Sequence, residues 1–172
     1  FGREFGPRGV FGDEFGEKTQ LLFKQYKPVE SLKNHSEADH AILESMRRAG
    51  LARRSMVALQ DDNRAFLDPK YGGADAELLA VARFPDSGKR GKPVLVFANL
   101  SNDRVRENAF WLDDQTRARI DPAKRYQVRD LMSDDPSVGL WDPPLTGREL
   151  LEKGVFARLQ PYQLQALELS EA

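Results

Sequence analysis

The chain has 172 residues, of which 40% are hydrophobic and 31% charged, with a formal net charge of −1. That content supports a packed core, excludes general disorder, and creates no single-sign field of the kind a nucleic-acid binder uses. No uncharged apolar run approaches the ~18 residues a membrane helix needs, and the absence of cysteine excludes disulfides and thiolate metal sites.

The expected partners therefore include neither nucleic acid nor membrane. A soluble chain is expected, with a cytoplasmic setting favoured, although missing cysteine says little about compartment. The chain begins at Phe1 rather than Met and has no signal-peptide pattern there. That start is expected of a processed or excised piece of a longer protein.

Residues 1–18 read FGREFGPRGVFGDEFGEK, and the hexad FGREFG at 1–6 recurs as FGDEFG at 11–16. Two copies are too few for a solenoid, which takes about three stacked units. Two readings stand: an irregular loop with a chance echo, or a loop lining a pocket with Glu4, Asp13 and Glu14. Leu21, Leu22, Phe23 and Tyr26 fit a short helix that stops before Pro28. The clearest helix covers 36–49. Ser36 caps it, Asp39 stands three residues on, and Ala38, Ile42, Met46 and Ala49 form one apolar stripe. Gly50 is expected to end it, with Arg47 and Arg48 in the last turn facing the dipole. Arg53–Leu59 could add a second short turn of helix. Asp61–Asn63 and Asp68–Asp75 carry turn chemistry.

From about Ala76 the apolar period becomes two. Strands are expected at Glu77–Phe84, Val94–Ser101, Asn108–Asp113, Tyr126–Met132, Arg148–Leu151, Val155–Leu159 and Tyr162–Leu169. The run Val94–Ala98 is apolar without a break, as in a central strand buried on both faces. With Leu78–Phe84 it predicts an antiparallel hairpin with a long charged connection. In Asn108–Asp113, Phe110 and Leu112 share one face and Trp111 takes the other. The alternation slips between Ala166 and Leu167, as at a bulge. Some seven short strands with frequent turn signals predict a mainly β chain: an antiparallel, Greek-key-like β-sandwich. The expected division is a helical and loop segment, 1–75, followed by the sandwich, 76–172.

Little in the chain reads as a complete reaction centre. His35 and His40, the two histidines, lack the i, i+4 spacing of a helical zinc site and read as helix-surface residues. The loop Gly88-Lys89-Arg90-Gly91-Lys92 lacks the Ser or Thr and the following helix of a phosphate-binding loop. There is no G-x-S-x-G elbow and no cysteine nucleophile. The many carboxylates mostly sit beside Pro, Gly or Asn, as turn formers do. Trp111 and Trp141 are the candidate sugar platforms, because an exposed indole stacks on a pyranose face. Trp111, on a strand, is expected in the core. Trp141, between turns in GLWDPP, is the better candidate for exposure.

Taken in order, the Arg-rich helix, LLAVARF, VLVFANLS, YQVRDLMS and GVFARLQPYQLQALEL resemble the C-terminal part of the α-amylase family, glycoside hydrolase family 13. The resemblance implies the end of a catalytic (β/α)8 barrel leading into a C-terminal β-sandwich. Gly2–Gly6 and Gly12–Gly16 look like the segment after barrel strand eight, and the helix at 36–49 like the last barrel helix. The family's catalytic acids lie on earlier barrel strands, so no catalytic residue is implied here. Asn34-His35 is a poor match to the family's Asn-His-Asp, since Ser36 replaces the Asp. Glu4 and Glu14 would border the parent's sugar cleft. The implied partners are the rest of the barrel and an α-glucan such as starch, glycogen or a maltooligosaccharide. No cofactor is implied; family members often hold calcium, but no EF-hand-like ligand run occurs. A glucan transferase of the same family, such as a maltosyltransferase, fits equally. A different class, a stand-alone sandwich binding carbohydrate or protein, stays open. The helix stripe separates them: in a barrel it needs strands from elsewhere, whereas in a self-contained chain it packs on the sandwich.

Overall fold

The computed structural model describes residues 37–86 and 89–172, with side chains from residue 42 onward. The chain divides into two compact units, Phe1–Glu44 and Ser45–Ala172. Helix α1 spans Glu37–Ser55, and a single 3-10 turn follows at Val57–Leu59. Among the described residues, eight strands form two antiparallel sheets. These are β1 (Arg64–Phe66), β2 (Leu78–Arg83), β3 (Val94–Asn99), β4 (Arg106–Phe110), β5 (Arg125–Asp130), β6 (Leu145–Thr146), β7 (Val155–Leu159) and β8 (Leu164–Glu171). Short helices α2 (Asp114–Arg117) and α3 (Gly147–Lys153) interrupt them. The larger sheet has the order β1-β2-β3-β8-β5-β6, and the smaller is β4-β7.

The expected hairpin is present: β2 and β3 pair antiparallel from Leu78↔Asn99 to Arg83↔Val94. The unbroken apolar run of β3 has its cause in its position, flanked by β2 and β8. Leu95 and Phe97 are buried on one face, and Val94 and Val96 pack in a second cluster with Ala58 and Ala166 on the other. The first face meets the small sheet. Leu95, Phe97, Val128, Leu167 and Leu169 share one core with Phe110, Val155, Ala157 and Leu159, and the Phe97 and Phe110 rings lie 5.2 Å apart. Asn99, buried at the end of β3, helps fasten the sheets together. Its Nδ2 donates to the carbonyls of Arg104 at 2.7 Å, Leu159 at 3.1 Å and Gln160 at 3.0 Å. A buried amide so partnered does not leave the polar group unsatisfied that would cost about 1–3 kcal/mol.

Several expectations are corrected. Gly50 does not end α1, which continues to Ser55. Gly50 does not adopt the left-handed conformation that terminates a helix, and only Gly72 and Gly154 among the described glycines have positive φ. The stop comes later, where the Gln60 side-chain amide donates to the Arg53 and Arg54 carbonyls at 2.9 and 3.1 Å. Arg53 and Arg54, not Arg47 and Arg48, occupy the last turn. Arg148–Leu151 is not a strand but the middle of α3. Thr146 accepts from the Glu149 amide while the Glu149 carboxylate accepts from the Thr146 amide, a capping box written in the sequence as Thr-x-x-Glu. Gly154 closes this helix at φ 75°, where an added Cβ would lie 2.1 Å from the Phe110 carbonyl oxygen.

β8 contains no bulge. Its register runs unbroken from Leu164 to Glu168 against β3 and from Leu167 to Glu171 against β5. The apparent slip at Ala166–Leu167 arises because both faces are covered there. Strands β1 and β6 add to the expected set, so the larger sheet begins before Ala76.

Candidate functional site

Among the described residues, two surfaces gather chemistry-bearing side chains. The first lies on the outer side of β4-β7. Phe110 pairs with Val155 and both point into the core, so the neighbouring pair Ala109↔Phe156 points outward. Trp111 follows on that outward side and is 38% exposed. Its amide donates to Asp68 O at 2.9 Å, and the Lys70 amide donates to Ala109 O at 2.7 Å, which lays residues 68–71 alongside. Lys70 Nζ then sits 4.3 Å from the Trp111 ring centroid and 5.9 Å from that of Tyr71. The same ammonium donates to the Glu152 and Lys153 carbonyls, at 3.3 and 3.2 Å, at the end of α3. Asn108 grips the Tyr71 backbone from both sides of its amide, at 2.8 and 3.3 Å. Two aromatic rings are thus held at the surface around one cation.

The second surface is the outer face of the larger sheet. The register lines up Phe66, Val81, Val96 and Ala166 as one apolar row across β1, β2, β3 and β8. Beside it run Leu79, Ala98 and Leu164. The α1 residues Ala49, Ala52 and Arg53, with Leu59 and Met132, wall this floor into a cavity of about 440 Å³. Among the described residues its charged lining groups are Arg53, Arg64 and Arg83. Arg64 stands directly opposite Arg83 in the β1–β2 ladder, a like-charge placement that costs stability. Arg83 donates one Nη to the Asp61 carbonyl, while its Nε is buried without a partner. Within the lining Phe66 remains 70% exposed, and Met46, outside it and one turn before Ala49 on α1, is 67% exposed. Ile42 of the same stripe is 59% exposed.

The described carboxylates with shifted titration serve the fold. Hydrogen bonds from the Lys89 ammonium and the Asp86 amide hold Asp61 below the usual range. Glu149 is lowered to about 2, chiefly by the Thr146 amide and then by Lys153. Burial raises Asp130 even though the Met132 and Ala166 amides donate to it. Among the described residues no group of three or more His, Asp or Glu could hold a metal ion. Lys89, in the basic loop, is tied to Asp61 at 2.5 Å and Asp86 at 3.3 Å.

Trp111 departs from its expected place in the core and is exposed. Trp141 is half-buried and packs against the main core. Its segment is held there by an isolated bridge between Arg129 and Gly139 and by the Leu140 amide on Val128 O at 2.8 Å. Trp111 is the more exposed indole. Glu4 and Glu14 lie outside the described residues, as do His35 and the side chain of His40. The structure therefore brings none of Glu4, Glu14 and Trp141 into one described site. The arginines Arg64 and Arg83 had no signal in the sequence. Their meeting depends on β1, a three-residue strand inside turn-forming residues. Compared with known proteins, the chain matches no family model and no curated protein. No described helix is long and apolar enough to cross a membrane.

Proposed function

We propose that this chain is the C-terminal portion of an α-amylase-like enzyme acting on α-glucans, hydrolase or glucan transferase. The two sheets would be its C-terminal β-sandwich, and the segment up to residue 75 the end of the catalytic barrel. One observation carries the reading. The α1 stripe that a self-contained chain would bury on its own sheet instead leaves Met46 exposed, and Phe66 on the larger sheet is exposed as well. An apolar surface of this kind suits a protein neighbour. The sandwich would cover barrel hydrophobics and border the glucan cleft, while the retaining chemistry belongs to acidic residues earlier in the enzyme. Incubating the chain with starch and maltooligosaccharides should release no reducing sugar; turnover would overturn the reading. Sequence upstream of Phe1 should place three acidic residues at successive barrel strand ends.

A second reading, a carbohydrate-binding module, is favoured by one feature: the Trp111 and Tyr71 rings held at the surface by Lys70 and Asn108. Affinity electrophoresis through starch separates the cases. Retardation lost in Trp111→Ala and kept in Trp141→Ala supports binding at this surface; no retardation of the parent chain removes it.

A further inference from the structure

We infer that the cavity on the outer face of the larger sheet docks a polypeptide whose apolar side chains are flanked by carboxylates. The inference rests on the reading that this chain packs against another polypeptide, and it adds the chemistry of that partner. The floor supplies the apolar half. Phe66, Val81, Val96 and Ala166 form a continuous row, with Leu79 and Leu164 beside it. The rim supplies the charge. Among the described residues Arg53, Arg64 and Arg83 line the cavity and no carboxylate does.

These cations are poorly provided for within the chain. Arg64 faces Arg83 across the ladder, and neither Arg53 nor Arg64 makes an ion pair with a described residue. Arg83 leaves a buried Nε unpartnered. Two facing guanidiniums repel each other unless an anion comes between them, and the planar guanidinium fork matches a carboxylate. An anion here would turn a local cost into a binding contribution.

The occupant is a polypeptide rather than a free amphiphile because the apolar surface outruns the cavity. An alkyl carboxylate filling about 440 Å³ would leave Met46, which is 67% exposed and stands outside the cavity lining, in water. An amphipathic helix laid along α1 would fill the cavity over Phe66, extend to Met46, and still present its flanking acids to the three arginines.

The test uses the full chain and three synthetic helical peptides sharing one leucine face, flanked by Glu, Gln or Lys. Binding is read by fluorescence anisotropy. The Glu peptide should bind about tenfold more tightly than the Gln peptide. The Lys peptide should be weakest, and the preference should shrink with added salt. Arg64→Glu, on an exposed strand, should abolish the preference while thermal unfolding stays cooperative. Arg53→Gln should halve it or more with α1 intact by circular dichroism. Equal binding of the Glu and Gln peptides would overturn the charge assignment and leave the docking reading standing. No binding by any peptide at millimolar concentration would overturn both. Binding of dodecanoate with no peptide bound would overturn the polypeptide assignment alone. Starch turnover by the chain would instead remove the enzyme-portion reading without touching the peptide result.

Discussion

The two faces of the larger sheet are built from the same strands yet have different fates. On the inner face Leu95, Phe97, Leu167 and Leu169 close against the β4-β7 sheet and lose all but a trace of their contact with water. On the outer face Val94 and Ala166 are sealed by Ala58, while Leu79 and Phe66, a short step away, stay exposed. Alternation along a strand assigns side chains to faces; it does not supply the layer that covers them. The inner face has that layer within the chain. Among the described residues the outer face has it only in part, where Met56–Leu59, Leu131 and Met132 pack over Val94 and Ala166.

The comparison breaks first, and hardest, on the inner side. Phe97→Ala removes a fully buried ring that packs 5.2 Å from Phe110 and should cost about 3–5 kcal/mol in urea unfolding. A loss below about 1 kcal/mol would mean that the two sheets do not share a tightly packed core.

A smaller effect is expected at the end of β5. Burial raises the folded-state titration of Asp130 above its ordinary value of 3.8. The folded chain therefore binds this proton more tightly than the unfolded chain does. The resulting stabilisation is fully present below about 3.8 and is lost as pH rises through the raised folded value. Asp130→Asn keeps an oxygen for the Met132 and Ala166 amides but carries no charge. Its stability should lack that falling limb, so it should gain on the parent as pH rises from acid towards neutrality. Parallel pH-stability curves for the two chains would rule out a buried charge at this position.

The same contrast explains what the sequence made legible. Val155–Leu159 was found at its true bounds because one face is buried and the other wet, so residues alternate cleanly. The β2–β3 hairpin was found because central strands carry dense Val, Leu and Phe. The Arg148–Leu151 assignment failed because Leu150 and Leu151 outweighed a capping box standing in plain view at Thr146 and Glu149. β1 and β6 were missed because two or three residues hold no period; their pairing comes from the neighbouring strand. Trp111 lies outside the core for a related reason. A strand residue beyond the last ladder pair, Trp111, can point outward, whereas a turn residue such as Trp141 can fold back onto the core. The arginine rim was illegible because Arg64 and Arg83 are brought opposite each other only by register.

The smallest effect should come from the outer row. Phe66 lies on an edge strand, its ring is 70% exposed, and the row it begins runs on through Val81. Phe66→Ser removes an apolar ring that folding has hardly taken from water, so little transfer free energy is at stake. It also leaves the β1–β2 backbone ladder intact, with only a modest loss of strand preference. The expected change in unfolding free energy is within about 0.5 kcal/mol, as for other substitutions at exposed positions. The same substitution should weaken capture of the Glu-flanked peptide several-fold, because a partner that covers the row loses its ring contact. A stability loss above about 2 kcal/mol would reverse the contrast, since it would require Phe66 to be buried within the folded chain.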